Sequence, residues 1–164
     1  LRKKAPETIT KLLIVGAARK ESDENYFKNL LSEYNFEHIE IRKPTSFEHF
    51  TETFADANLC FDLRELNFEN GHSLPIKLFY YIGAGKPVIY SNLKGIREHM
   101  DVSGFGQLVD PQNAEIISDL IVNYIRNPEH YYSHAVNARK EFEEKYNWKV
   151  IRNSFIDFVK KSIK

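Results

Sequence analysis

The run SLPIKLFYYIGAGKPVIYS at positions 73–91 constrains this chain more than any other stretch. It reads as a buried helix, a glycine stop and a buried strand. Ser73 is placed to cap the helix N-terminus, and Pro75 falls in the first turn, where its missing N–H is harmless. Leu74, Ile76, Leu78, Phe79, Tyr80, Tyr81 and Ile82 then put apolar or aromatic groups on nearly every face. Only Lys77 interrupts them, so the helix is expected to have protein around most of it. Gly83 and Gly85 end it, and Pro87 sets an extended entry into Val88, Ile89 and Tyr90. A strand without polar alternation belongs in a sheet covered on both faces, which predicts parallel strands flanked by helices.

The rest of the chain repeats that alternation. KLLIVG at 11–16 is a second buried strand, with Gly16 turning the chain at its end. Ser22, Asp23 and Glu24 open a helix whose buried face is Phe27, Leu30, Leu31 and Tyr34. FEHIEI at 36–41 alternates and reads as a strand nearer the sheet edge. Thr45 and Glu48 have capping-box spacing ahead of Phe47, Phe50 and Phe54, and NLCFDL at 58–63 is the next strand. Residues 64–72 form a polar loop with a turn at Asn70-Gly71. Beyond the central run come a short helix near 95–100, a strand at 106–109 and a helix buried through Ile117, Leu120, Ile121, Tyr124 and Ile125. Asn127-Pro128 breaks that helix. A further one carries Tyr131, Ala135, Ala138 and Phe142, and Asn147 caps the last, with Trp148, Ile151, Phe155, Phe158 and Val159. This order predicts one α/β domain over residues 1–164, a Rossmann-like doubly wound parallel sheet followed by C-terminal helices.

The totals exclude several classes of function. Lys and Arg number 23 and so do Asp and Glu, so no net field draws the chain to nucleic acid or anionic lipid. The lone cysteine, Cys60, cannot form an internal disulfide and lies in an apolar run, which suits a small core residue in a reducing, cytoplasmic setting. No apolar stretch reaches the ~18 residues of a membrane span, and the start lacks the apolar core of a secretory signal.

In open parallel sheets, ligands bind beyond the carboxyl ends of the strands. Three loops are expected there, at 16–20, 62–72 and 91–95. The leading feature is the helix N-terminus at Ser73 and Leu74, whose free N–H groups and dipole favour a phosphate or diphosphate. Arg19, Lys20 and Lys77 are the candidate cations around it, against the plainer reading of a simple cap with solvated lysines. Gly16 stands alone, without a dinucleotide fingerprint, and Gly85-Lys86-Pro87 lacks the hydroxyl of a P-loop. His130 and His134 are four apart on one helix, but no other ligand joins them, so a surface pair is preferred to a metal site. The aromatic rows recur at helical period and are read as core.

At this point the residues carry a likeness. The central run resembles the signature P-x-K-L-F-E-Y-M-A-x-G-K-P-V-I-x-S of retaining family-4 glycosyltransferases. The likeness continues through Lys94-Gly95-Ile96-Arg97-Glu98, residues 106–111, Asn137-Ala138-Arg139 and Tyr146-Asn147-Trp148. It implies half of a GT-B architecture: the C-terminal, donor-binding domain, without its first strand and the N-terminal acceptor-binding domain. The implied ligand is a nucleoside diphosphate sugar, with no cofactor and no required metal. The implied activity is hexosyl transfer in surface polysaccharide or glycolipid synthesis, with the whole enzyme peripheral to the inner face of the membrane and this fragment alone inactive.

On that likeness the donor-binding candidates are Gly16, Arg19, Lys20, Ser73, Leu74, Lys77, Tyr80, Ser91 and Gly95. The family has two glutamates eight positions apart; the matching positions hold His72 and Tyr80. A Tyr80 hydroxyl could reach a ribose but lacks the charge-assisted bond of a carboxylate. Catalytic residues therefore stay unassigned, with Glu69 and His72 as candidates. Two alternatives stay open: a GT-B-like scaffold that has lost the carboxylates, and a nucleotide-sugar epimerase.

Overall fold

Helical segments separate successive strands, and among the described residues every strand pair is parallel. The computed structural model describes residues 3–5, 7, 10–18, 20–34 and 38–163. The α/β class with parallel sheets is as expected. Among the described residues, however, the ladder hydrogen bonds fall into two sheets, and the chain divides into two units near residue 57.

In the N-terminal unit, β1 (Leu12–Val15) leads to α1 (Glu21–Tyr34) and then to β2 (Ile39–Arg42), which pairs with β1 from Leu12↔Ile39 to Val15↔Arg42. Phe27, Leu30 and Leu31 of α1 are half-buried, whereas Phe36 of the expected strand lies outside the described residues. The Thr45–Glu48 capping box does not form. Thr45 Oγ1 donates instead to the Ser46 carbonyl, and Ser46 precedes a 3₁₀ segment, Phe47–Phe54. Three residues per turn change which side chains align. Thr53 and Phe54 are buried, Phe50 is half-buried, and Phe47 is exposed.

The C-terminal unit is built on a sheet of order β3-β4-β5: Cys60–Asp62, Val88–Ser91 and Gly106–Val109. All four residues of the central strand are fully buried, as its unbroken apolar run predicts. Between β3 and β4 the chain forms a single turn, α2 (Phe68–Gly71), where the sequence suggests only a loop, and then α3 (Ile76–Gly83). Two residues after β4, α4 (Lys94–His99) begins. Beyond β5 come α5 (Ala114–Arg126), α6 (Pro128–Glu141), a π-helical turn at Phe142–Tyr146 and α7 (Trp148–Ser162). Ile89, Val109 and Tyr124 form a buried cluster, closed over by Leu59, Ile117, Leu120, Ile121 and Tyr131.

The stop after α3 is a Schellman motif. Lys86 N–H donates to the Tyr81 carbonyl and Gly85 N–H to that of Ile82, with Gly85 at φ +66°. A side chain there would be strained by that positive φ. Arg139 of α6 donates to the Gly83 carbonyl, which caps the helix end a second time.

Three expectations about helix faces are corrected. His130 and His134 are not a surface pair: His134 is buried and hydrogen-bonds Tyr124 Oη through Nδ1 at 2.8 Å, with the His130 ring 4.2 Å away. Burial, aided by the neighbouring His130, holds the His134 imidazole below its ordinary value, so it is neutral at pH 7. The aromatic rows are not all core, since Trp148, Phe155 and Phe158 are exposed. α7 buries none of its residues, because no other described segment covers its apolar row. Finally, among the described residues no helix is long and apolar enough to cross a membrane.

Candidate functional site

The carboxyl ends of β3 and β4 open into two connections, residues 63–75 and 92–93, that meet at one edge of the C-terminal sheet. Residues 65–73 are organised by their own polar groups. Asn67 Oδ1 accepts from Asn70 N–H at 2.9 Å and caps α2, while Asn70 Nδ2 donates to the Glu65 carbonyl at 3.0 Å. His72 Nδ1 bonds the Phe68 carbonyl at 2.8 Å, and the two rings lie 4.4 Å apart.

Ser73 does not cap α3. Its hydroxyl and its N–H both donate to the Asn70 carbonyl, at 2.8 and 3.1 Å, which closes the preceding turn. The helix starts two residues later than expected, with Pro75 extended at φ −68°, ψ 127° in the cap position and no side chain capping it. Leu74 and Ile76 are consequently exposed rather than enclosed.

Against this turn packs Gly95 of α4. A Cβ at Gly95 would lie 2.6 Å from the Ser73 carbonyl oxygen and 3.5 Å from that of Gly71, so only glycine allows this approach. The close contact forms the floor of an open cleft of about 370 Å³, lined by Gly71, His72, Leu74, Gly95, Glu98 and His99. The structure thus brings His72, Leu74 and Gly95 together around one cleft, with the Ser73 backbone against Gly95. Glu69 sits exposed on the α2 turn. Tyr80 is half-buried on α3.

Ser91 is fully buried and its hydroxyl is engaged on both sides. It accepts from Arg64 N–H and donates to the Arg64 carbonyl, each at 2.6 Å. Ser91 therefore shapes the β3 exit rather than facing a ligand. Gly16 and Lys20 belong to the N-terminal unit, where Gly16 N–H extends the β1–β2 ladder to the Arg42 carbonyl at 3.0 Å and Lys20 is exposed. Arg19 lies outside the described residues.

A group of charges that the sequence reading missed sits at the end of β3. The Asp62 carboxylate, 11% exposed, accepts from Arg64 Nε at 3.1 Å and Nη2 at 3.0 Å and from Tyr90 Oη. Lys77 Nζ, on the first turn of α3, stands 3.9 Å from the same carboxylate. Burial alone would raise the Asp62 carboxyl. The bonds from Arg64 and Tyr90 and the nearby cations outweigh it and hold the group below its ordinary value. Burial and the Asp62 bond push the Tyr90 hydroxyl upward, so it stays a donor. The readable signal was an acid at the last position of an otherwise apolar strand, followed two residues later by a base. Cys60 is the core residue expected, its thiol pushed by burial to about 12. Among the described residues, no group of three or more His, Cys, Asp and Glu side chains is arranged to hold a metal ion.

This arrangement of parallel strands, helices and C-edge connections is shared with known enzymes. Sucrose-phosphate synthase from Thermosynechococcus elongatus superposes with a TM-score of 0.79 at 19% identity, over 93% of this chain and 38% of its own. The chain has the fold of one half of a GT-B architecture. HepE of Anabaena in complex with UDP gives 0.77 at 14% identity, over 97% of this chain and 43% of its own. A glycosyltransferase from Rickettsia africae gives 0.79 at 17%, over 98% and 42%. This GT-B-like chain spans about two fifths of the length of these structures. No family model and no curated protein matches its sequence.

Proposed function

We propose that this chain is the donor-binding domain of a retaining family-4 glycosyltransferase and that it takes a nucleoside diphosphate sugar. The observation that carries the reading is the open cleft at the carboxyl edge of the sheet, with Arg64 and Lys77 at that same edge, in a fold shared with HepE, a protein solved with UDP and with UDP-glucose. Cations and backbone N–H groups at such an edge stabilise a leaving diphosphate without a metal. In this reading the acceptor-binding half belongs to the same enzyme, the product is a surface polysaccharide or glycolipid, and the work is done at the cytoplasmic face of the membrane. His72, on the cleft wall, and Glu69, on the turn beside it, face the sugar; Leu74 and the Ser73 backbone line its approach.

Calorimetry with UDP, GDP and ADP tests this. One of the three is expected to bind with a measurable heat and to raise the melting temperature. No heat and no shift at millimolar nucleotide would refute the proposal. Glu69→Ala is expected to weaken the nucleotide sugar more than the bare nucleotide, and equal losses would remove Glu69 from the sugar side.

A second reading has one observation in its favour. His72 and Tyr80 occupy positions where the resemblance calls for glutamates, and neither supplies a carboxylate. A scaffold domain that kept the fold and lost catalysis fits that departure. It predicts nucleotide binding without sugar transfer by the full-length protein.

A further inference from the structure

Arg64 is held more firmly than an ordinary surface arginine. Ser91 Oγ fixes its backbone from both sides, and Asp62 takes two of its guanidinium nitrogens. Asp62 is in turn fixed by the Tyr90 hydroxyl from the central strand. Neutralising one carboxylate requires one cation, yet Asp62 faces two, Arg64 and Lys77, which leaves a local formal charge of +1. The covering is unequal: the carboxylate side chain is 11% exposed, against 30% for Arg64 and 49% for Lys77. A largely covered acid thus carries two more exposed cations at the carboxyl edge of β3, where open parallel sheets place their ligands.

We infer that Arg64, clamped by Asp62 and Ser91, is the side chain that meets the diphosphate of the donor, with Lys77 beside it. This rests on the nucleotide-sugar reading. A guanidinium offers a planar pair of donors matched to phosphate oxygens, while an ammonium acts as a point charge. Holding the fork in place beforehand removes much of the ordering cost at binding. Asp62 and Ser91 are then positioning residues: they touch Arg64, and Arg64 touches the anion.

The test titrates the full chain with UDP, GDP and ADP, with the nucleoside matching the tightest of them, and with inorganic pyrophosphate. Arg64→Ala is expected to weaken the diphosphate and pyrophosphate by about tenfold or more while leaving the nucleoside unchanged. Arg64→Lys, which keeps the charge and loses the fork, falls between, and it stands in if the alanine variant does not fold. Ser91→Ala is expected to weaken the diphosphate by about threefold with no change for the nucleoside. A purely structural Ser91 would lower the melting temperature and leave that ratio alone. If the wild type binds a nucleotide and folded Arg64→Ala or Arg64→Lys binds it equally well, the inference is overturned. Pyrophosphate bound without any nucleotide, and lost with Arg64, would overturn the nucleotide reading while upholding the anion site. A wild type that binds none of these ligands overturns both.

Discussion

β4 and β1 are both four-residue strands in parallel sheets, yet every residue of β4 is fully buried and every residue of β1 is half-exposed. β4 lies between β3 and β5, beneath helices whose side chains close over Ile89 and Val109. β1 has a single ladder partner among the described residues, and its unit relies visibly on charge. Arg42 donates to both Asp56 oxygens at 2.7 Å, to Glu40 at 2.5 Å and to the Thr53 carbonyl at 2.7 Å, while Lys11 pairs with Glu40. Buried apolar area stabilises in proportion to its extent, whereas exposed ion pairs contribute little. The contrast places the rigid frame of the candidate site in the C-terminal unit.

The largest expected effect is therefore in β4. Ile89→Ala removes a fully buried side chain from the central cluster and should cost about 2–5 kcal/mol by urea denaturation. Leu13→Ala in the half-exposed β1 should cost only about 1 kcal/mol. Equal losses at the two positions would erase the distinction between the strands.

Next comes the contact between the two rim connections. Gly95→Ala would drive a methyl group into the Ser73 backbone, and neither side has a flexible side chain to yield. A cost of about 1–3 kcal/mol is expected, with a loss of nucleotide binding as the cleft floor shifts. A variant that melts and binds like the wild type would show that the floor tolerates movement, and β4 rigidity would then stop short of the rim.

What the sequence disclosed follows the same division. Continuous apolar runs and glycine stops are local signals, so β4, the end of α3 and β5 were legible, β5 to the residue. The resemblance at 73–91 led to the fold for the same reason. The start of α3 was misplaced because Ser73 has a competing partner, the Asn70 carbonyl, that spacing cannot reveal. Asp62 and Arg64 escaped because their meaning depends on Tyr90 and Ser91, nearly thirty residues away, and those contacts exist only once β3 pairs with β4. The burial of His134 likewise required α5 to lie against α6.

That histidine gives a smaller, pH-dependent test within the well-packed unit. Its folded value is lowered from 6.5, so the unfolded chain binds the proton more readily. Its contribution is complete above about pH 6.5 and is lost as the pH falls through that value toward the folded one. His134→Gln should keep a bond to Tyr124 and remove the titration. The drop in melting temperature from pH 7.5 to 5.5 should then shrink relative to wild type. An identical drop would assign the pH response to another group.

The smallest effect is expected from the charged clamp of the N-terminal unit. Asp56, held to about 2 by its hydrogen bonds from Arg42, has a folded value below its ordinary 3.8. Its contribution is present above about pH 3.8 and disappears as the pH falls through about 2, so at neutral pH it is intact. Asp56 is open to solvent and Arg42 partly so, and salt screens such pairs within about 10 Å at 0.1 M. Asp56→Asn should therefore raise amide exchange in β2 at low ionic strength, with the difference from wild type narrowing at 1 M salt and exchange in β4 unmoved. A salt-independent rise would mean that Arg42 acts through its neutral bond to Thr53. Exchange rising equally in β4 would mean that the two strands, for all their difference in covering, open as one cooperative structure.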